Sequence, residues 1–69
     1  MRQATIHEFN EAVANARWPQ PRRFCGKRYF DAHYSDCGTE VATKHQDIYR
    51  GKVVSETYTV NDAYLKMRL

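Results

Sequence analysis

The sequence predicts an α+β fold in which one N-terminal helix packs on an antiparallel sheet of three or four strands. Two observations support this prediction. Apolar residues recur at helical spacing near the start of the chain, and the residues after the two prolines are rich in aromatic and β-branched types with an approximate period of two. With only 69 residues, the chain 1–69 is expected to form a single small domain. Strand alternation leaves one sheet face polar, so a single helix is enough to cover the other face.

The helix is predicted over 5–17. Thr5 and Glu8 have the spacing of a capping box, in which each side chain accepts a hydrogen bond from the backbone amide of the other residue. An apolar stripe follows at helical spacing, formed by Ile6, Phe9, Val13 and Ala16. Pro19 ends the helix, because the residue before a proline is disfavoured in the helical conformation. Residues 18–21, which contain both prolines, are predicted to be a stiff connector.

Strands are predicted over about 22–34, 39–44, 53–60 and 63–69, and the first of these contains Gly26, where a break is an alternative. Residues 39–50 also fit a helical face that would stop at Gly51, but the β-branched residues there favour a strand. Asn61 and Asp62 are expected to form the turn of a final hairpin. A short helix capped by Asn61 is the alternative reading of the same residues.

The composition excludes several classes of protein. No apolar run approaches the roughly 18 residues of a membrane span, and no apolar stretch of a secretory signal follows the first residues, so we expect a cytoplasmic protein without membrane contact. Two cysteines are too few for a disulfide-dense secreted scaffold. Leu, Ile, Val and Phe together make up 12 of the 69 residues, so the core is small and the fold marginally stable. A monomer is favoured over a dimer, although a partner or a second copy would add stability.

The sequence contains little evidence for a catalytic site or for a metal-binding site. Cys25, His33, Cys37 and His45 are ligand types that suit zinc, but their spacing lacks the Cys-x2-4-Cys knuckle that pre-orients two thiolates. We therefore expect no cofactor and keep these four residues as an alternative zinc set. Two histidines beside a basic segment are weak evidence for acid–base catalysis, because no third group visibly orients either ring. No enzyme activity and no catalytic residue are predicted.

A basic, aromatic segment is the best candidate for function. Residues 18–30 contain four cations and no acid, whereas residues 31–47 contain four acids and one lysine. The predicted partner-binding residues are Trp18, Arg22, Arg23, Lys27, Arg28 and Tyr29, which are types that dominate interface hot spots. A continuous strand would place Arg23, Lys27 and Tyr29 on one face and Arg22 and Arg28 on the other. The acidic neighbour disfavours nucleic acid, so a protein with an acidic patch or an exposed strand edge is preferred, with nucleic acid as a secondary contact.

The stretch from Thr5 to Val13, followed by the stretch from Arg23 to Asp31, resembles small lytic-phage regulators that bind host RNA polymerase. The resemblance covers roughly the first half of the chain. It implies a phage-encoded host-takeover protein of the bacterial cytoplasm, which inhibits or modifies transcription by stoichiometric binding to a polymerase subunit. Anti-defence proteins such as anti-CRISPR inhibitors share the same general features and are the main alternative. A small nucleic-acid-binding regulator and a small zinc-binding module are the others.

Overall fold

The computed structural model describes residues 1–20 and 22–65 of the chain. These residues form six strands, one α-helix and one short 3-10 helix. The elements are β1 (Arg2–Ala4), α1 (Ile6–Ala14), β2 (Trp18–Pro19), β3 (Arg23–Cys25), β4 (Arg28–Tyr34), β5 (Glu40–Tyr49), β6 (Lys52–Val60) and the 3-10 helix (Asp62–Tyr64). No helix among them has the length and apolar character needed to cross a membrane.

All the strands belong to one antiparallel sheet with the order β1-β6-β5-β4. The two short strands β2 and β3 both pair with the outer edge of β4. Trp18 of β2 pairs with Tyr34 near the end of β4, and Arg23 of β3 pairs with Phe30 nearer its start. The segments β2 and β3 therefore behave as one edge strand that is interrupted around Pro21.

The prediction of three or four strands is wrong, because the described residues contain six. The additional strands β1 and β2 are only two or three residues long, so they have no periodicity that a sequence pattern can reveal. The predicted strand 22–34 is in fact two strands, β3 and β4, separated by a turn at Gly26 and Lys27. Gly26 has a φ of 64°, and a positive φ at the first turn residue alone is the pattern of a type II′ hairpin turn.

The predicted helix is present, with its capping box, but it is shorter than expected. Thr5 Oγ1 accepts a bond from the Glu8 amide at 3.2 Å, and Glu8 Oε1 accepts one from the Thr5 amide at 3.0 Å. The helix ends at Ala14 instead of residue 17. Just beyond it, the Arg17 amide donates to the Tyr34 carbonyl at 2.8 Å, which draws the chain out of the helix and onto the edge of β4.

The ambiguous segment 39–50 is a strand and is longer than the predicted 39–44. β5 runs from Glu40 to Tyr49 and turns directly into β6 through Arg50 and Gly51. These two residues have φ values of 52° and 78°, and positive φ at both central residues is the requirement of a type I′ turn. β6 confirms the predicted strand 53–60 with one more residue at its start.

The predicted hairpin at Asn61 and Asp62 is wrong, and the alternative helical cap is observed. Asn61 Oδ1 accepts a bond from the Ala63 amide at 3.1 Å, which caps the 3-10 helix. The Asn61 amide also donates to the Val41 carbonyl at 2.8 Å, so this residue continues the pairing with β5 before the chain leaves the sheet. Residues 66–69 of the predicted last strand lie outside the described residues.

The small core lies between α1 and one end of the sheet. It consists of Phe9, Ala12, Val41, Ala42 and Val60. In the register between β4 and β5, His33 pairs with Ala42 and Tyr34 pairs with Glu40, so Val41 is an extra, bulged residue. Val41 and Ala42 are both fully buried, and the bulge thus allows two consecutive residues to contribute to the same core.

Helix α1 packs on one face of the sheet, which we call the covered face, and we call the opposite face the open face. On the covered face, the Phe9 ring of α1 lies 4.9 Å from the Tyr58 ring and 5.8 Å from the His33 ring. At the same end of the sheet, Arg2 Nε lies 2.5 Å from Asp62 Oδ1, which joins β1 to the 3-10 helix. We call the opposite end, which contains the two hairpin turns at 26–27 and 50–51, the distal end.

Candidate functional site

The six predicted partner-binding residues do not form one surface. Directly paired residues of an antiparallel sheet point to the same face, and Arg23 pairs with Phe30 while Phe24 pairs with Tyr29. Arg23 and Arg28 therefore lie on the open face, and Tyr29 lies on the covered face. The predicted grouping of Arg23 with Tyr29 is wrong, because the turn at Gly26 resets the alternation expected for one continuous strand.

Two of the predicted cations are neutralised by the protein's own carboxylates. Arg22 makes two contacts with Asp31, with Nε 3.2 Å from Oδ1 and Nη2 3.3 Å from Oδ2. These hydrogen bonds, followed by the charge of Asp31, raise the pKa of Arg22. Arg28 Nε lies 2.6 Å from Asp47 Oδ1. The hydrogen bond from Arg28, followed by one from Ser55, lowers the pKa of Asp47. These two arginines therefore offer less charge to a partner than the sequence suggests.

Arg23 and Lys27 have no carboxylate partner in the described part of the chain. The Arg23 guanidinium carbon lies 5.8 Å from the centre of the Phe30 ring on the open face. Lys27 is exposed in the turn between β3 and β4. Both cations remain available at the distal end.

Trp18 lies away from this region, at the opposite end of the same sheet edge. Its indole Nε1 donates to the Ser35 carbonyl at 3.0 Å, while the residue is 50% exposed. It pairs with Tyr34 on the open face, so it does not share a surface with Tyr29. Trp18 was expected to cluster with the other five predicted partner-binding residues. These six residues are instead divided between the two ends and the two faces of the sheet.

The distal end of the covered face carries a group of apolar side chains, of which the sequence analysis named only Tyr29 as a binding residue. We call Phe24, Tyr29, Ile48, Val53 and Val54 the distal apolar patch. The rings of Phe24 and Tyr29 are 4.8 Å apart, and Ile48 pairs with Val53 on the neighbouring hairpin. Phe24, Val53 and Val54 are 57%, 51% and 60% exposed, respectively. Tyr29 and Ile48 are half-buried, and several exposed apolar side chains on one face are typical of interaction sites.

A second bulge brings both valines to this face. Asp47 pairs with Ser55 and Ile48 pairs with Val53, so Val54 is the extra residue of β6. Val53 lies on the covered face because it pairs with Ile48. Val54 lies two residues before Glu56, which pairs with Gln46 on the covered face, so Val54 also lies on that face. Two consecutive valines in a strand normally point in opposite directions, so their adjacency in the sequence is a weak signal for such a bulge.

The helix does not reach the distal apolar patch. Its buried residues Phe9 and Ala12 pack with Val41, Ala42 and Val60, which lie at the other end of the sheet. Within residues 1–20 and 22–65, no element covers the patch, and this explains the exposure of its side chains.

Four cations lie at the distal end near the distal apolar patch, and two of them, Arg50 and Lys52, lie beside Tyr49 on the open face. We call Arg22, Lys27, Arg50 and Lys52 the cationic rim. Arg22 lies over the Tyr29 ring at 5.0 Å, and Arg50 lies over the Tyr49 ring at 5.4 Å. The nearby acid Glu56 accepts hydrogen bonds from Tyr58 and from Gln46, which lower its pKa. Glu56 therefore remains ionised, and the positive character of the rim comes from Lys27, Arg50 and Lys52, because Asp31 balances the charge of Arg22.

The four residues of the alternative zinc set are not brought together. His33 lies on the covered face beside Phe9, and His45 lies on the open face with its ring 5.3 Å from the Phe30 ring. Cys25 ends β3 at the distal end, whereas Cys37 lies in the turn between β4 and β5 at the other end. Both cysteines are free thiols. Among the described residues, no group of three or more potential ligands has the arrangement of a metal site.

An open cavity of about 460 Å³ lies beside Cys37, between the end of α1 and the turn after β4. Cys37 Sγ lies 3.3 Å from both Ser35 Oγ and Thr39 Oγ1. These hydrogen bonds, that of Ser35 first, lower the pKa of Cys37 to about 7. None of the described lining residues is a histidine, so the cavity places no imidazole base beside the thiol.

Comparison of the chain with protein-family models, with curated proteins and with solved structures finds no match. No relative therefore contributes a site residue or a partner.

Proposed function

We propose that this protein is a non-enzymatic binding module that captures a protein partner through the distal apolar patch. The observation that carries this proposal is the exposure of Phe24, Val53 and Val54, each more than half accessible on a sheet face that α1 leaves bare. Protein interfaces combine an apolar, often aromatic centre with a polar rim, and arginine and tyrosine are frequent among their hot spots. The distal apolar patch and the cationic rim have this composition.

The aliphatic content of the patch favours a protein partner over nucleic acid. Nucleic acid surfaces are recognised by cations on phosphates and by aromatic rings stacked on bases. Val53, Val54 and Ile48 supply neither interaction, whereas they match an apolar protein surface. The cationic rim adds a preference for a partner with acidic residues around that surface, and would raise the association rate at low salt.

The resemblance to lytic-phage regulators makes bacterial RNA polymerase the first partner to test. In this proposal the protein acts in the bacterial cytoplasm, and it inhibits or modifies transcription by occupying a polymerase surface that another factor requires. An anti-defence inhibitor would use the same patch on a different machine. The patch itself does not depend on which of these partners is correct.

The experiment compares binding of the wild-type protein and of surface variants to purified bacterial RNA polymerase holoenzyme. We expect Phe24→Ser and Val54→Ser to weaken binding by about tenfold or more, as hot-spot substitutions do. Ile6→Ser is the matched control, because Ile6 is a similarly exposed apolar residue on α1, away from the patch. Normal binding of both patch variants would contradict the assignment of the surface.

Absence of wild-type binding would remove the polymerase as the partner. The same three variants are then used as baits in bacterial lysate, and loss of one captured protein from both patch variants but not from Ile6→Ser would identify the partner. Strong binding of wild-type protein to random-sequence duplex DNA, with a steep loss of affinity as salt increases, would overturn the preference for a protein partner.

A further inference from the structure

The outer edge of β6 is only partly paired. β5 pairs with β6 from Lys52 to Val60 on one side. On the other side, β1 pairs only with Tyr58, Thr59 and Val60. Within the described chain, no strand lies beside residues 52–57 on this outer edge. An unpaired strand edge is a template for an added strand.

The direction of the backbone groups along this edge follows from one hydrogen bond. The Asn61 amide donates to the Val41 carbonyl of β5 at 2.8 Å. Backbone polar groups alternate between the two sides of a strand, so Thr59 and Thr57 also face β5, whereas Val60, Tyr58 and Glu56 face outward. β1 satisfies the groups of Val60 and Tyr58. The N–H and C=O of Glu56 therefore point to a side where the described chain places no strand.

The side chains beside this edge favour an apolar segment with an acidic end. Val53 and Val54 are exposed next to the free edge, and Arg50 and Lys52 lie beyond them at the turn. Free edges are usually protected by inward-pointing charges or by bulges. The bulge at Val54 limits regular pairing to the residues around Glu56, so an added strand is expected to be short.

We infer that the outer edge of β6 accepts a short extended segment of the partner as an antiparallel strand, in line with β1 and opposite Glu56. The segment carries apolar residues against Val53 and Val54 and an acidic residue toward Lys52. This inference rests on the proposed function and specifies how the same region recognises its partner. Strand addition of this kind obtains affinity from main-chain hydrogen bonds and specificity from the alternating side chains.

A second copy of this chain fits the edge less well. Antiparallel pairing of two β6 strands about Val54 would place Lys52 opposite Glu56 of the second copy. Lys52 pairs with Tyr49 on the open face, however, whereas Glu56 lies on the covered face, because the bulge shifts the alternation between them. The two charges would therefore point to opposite faces, and the charge complementarity of the self-pairing would be lost.

The test is amide hydrogen exchange measured by NMR on the full chain. In the free protein, we expect the Glu56 amide to exchange faster than the Thr57 amide, which faces β5 and is the internal control. The probe is an acetylated seven-residue peptide in which valine alternates with threonine and the ends are glutamate. At saturating peptide, we expect the Glu56 amide to slow by about tenfold, in keeping with one added hydrogen bond. A peptide of the same pattern with lysine ends is expected to have little effect.

Three results would overturn the inference. They are equal exchange of Glu56 and Thr57 in the free protein, no protection of Glu56 by the glutamate-ended peptide, and protection of Glu56 by self-association at higher protein concentration. Phe24→Ser separates this inference from the proposed function, because Phe24 lies on β3, away from the edge. If Phe24→Ser no longer binds the partner and the peptide does not protect Glu56, the binding role of the distal apolar patch is supported and strand addition is wrong. If Glu56 is protected while Phe24→Ser binds the partner normally and Val54→Ser does not, strand addition at the edge is supported and the part of the patch around Phe24 is wrong.

Discussion

Arg28 on β4 and Asp47 on β5 are direct cross-strand neighbours, and the guanidinium Nε lies 2.6 Å from the carboxylate Oδ1. Ser55 on β6 donates to the other oxygen of the same carboxylate at 2.7 Å. Three strands are thus connected across the open face by one acid. Arg28 belongs to this structural ladder, whereas Lys27, the next residue toward the turn, has no carboxylate partner among the described residues.

This difference predicts opposite results for two neighbouring charge reversals. Lys27→Glu is expected to reduce partner capture severalfold and leave the melting temperature unchanged, because it alters only the cationic rim. Arg28→Glu is expected to lower the melting temperature, because it places two carboxylates side by side on β4 and β5. Circular dichroism melts and binding titrations of both variants provide the measurement. Equal melting temperatures for the two variants would show that the ladder has no structural role.

The turn between β5 and β6 predicts a substitution that separates stability from binding. Arg50 has a φ of 52°, a conformation that costs free energy for most residues and much less for asparagine. We expect Arg50→Asn to stabilise the protein by about 0.5–1 kcal/mol, since Asn-Gly is the preferred type I′ pair. The same change removes a charge from the cationic rim, so capture of an acidic partner should weaken. Urea denaturation and a binding titration test the two effects, and a loss of stability would contradict the turn assignment.

The capping box of α1 predicts a stability loss at an exposed position. Thr5→Ala removes the oxygen that accepts from the Glu8 amide and is expected to cost about 1 kcal/mol of unfolding free energy. Asn10→Ala on the exposed side of the same helix is the control, and it should be neutral or slightly stabilising because alanine has the higher helix propensity. The urea midpoints of both variants provide the comparison. Equal midpoints would mean that α1 does not depend on its cap.

The two histidines of the sheet predict that stability falls as the solution becomes mildly acidic. Burial lowers the pKa of His45 and of His33 below the ordinary 6.5, so the unfolded chain takes up these protons first. The full stability is therefore present above about pH 7, and it decreases from about pH 6.5 toward pH 5. His45 Nδ1 is buried without a hydrogen-bond partner in the described structure, and its protonation would leave an unsatisfied N–H.

His45→Gln tests this pH dependence. The groups around His45 are Phe30 on β4, Thr59 on β6 and the charged residues Arg28, Glu40 and Asp47. Urea midpoints measured between about pH 8 and about pH 5 should vary less in His45→Gln than in the wild type. Some dependence should remain because His33 also contributes. An unchanged pH profile in the variant would show that His45 does not control the effect.

Cys37 is predicted to be alkylated near neutral pH. The hydroxyls of Ser35 and Thr39 lower the pKa of this thiol to about 7, and the thiolate is the reactive form. In a Cys25→Ser background, the rate of iodoacetamide labelling should reach half its maximum near pH 7. Thr39→Val should move the midpoint upward because one of the hydrogen bonds is removed. Mass spectrometry of the labelled protein gives the rates, and a midpoint close to the ordinary thiol pKa would refute the prediction.

The sequence predicted the elements whose signals are local. The capping box at Thr5 and Glu8 placed the start of α1, and the β-branched run of 53–60 placed most of β6. The short strands β1 and β2 depend on pairing with residues far along the chain, Val60 and Tyr34, and no local pattern contains that information. For the same reason, the sequence did not show that the helix would stop at Ala14.

The site was less predictable than the fold because it depends on exposure and on strand register. The segment 22–29 supplied Tyr29, Arg22 and Lys27 to the distal end, as expected from its composition. A single turn at Gly26 placed Arg23 on the face opposite Tyr29 and Arg22 on the same face as Tyr29, the reverse of the expectation for both arginines. The valines came from a bulge in a different hairpin, and a bulge is a property of the paired strands, not of either strand alone.

The contact between Arg2 and Asp62 also determines how the molecule can be mounted for measurement. It anchors the first strand at the end of the sheet farthest from the hairpin turns. A biotin or fluorescent label attached at the amino terminus would therefore hold the molecule on a sensor with its valine-bearing tip pointing into solution.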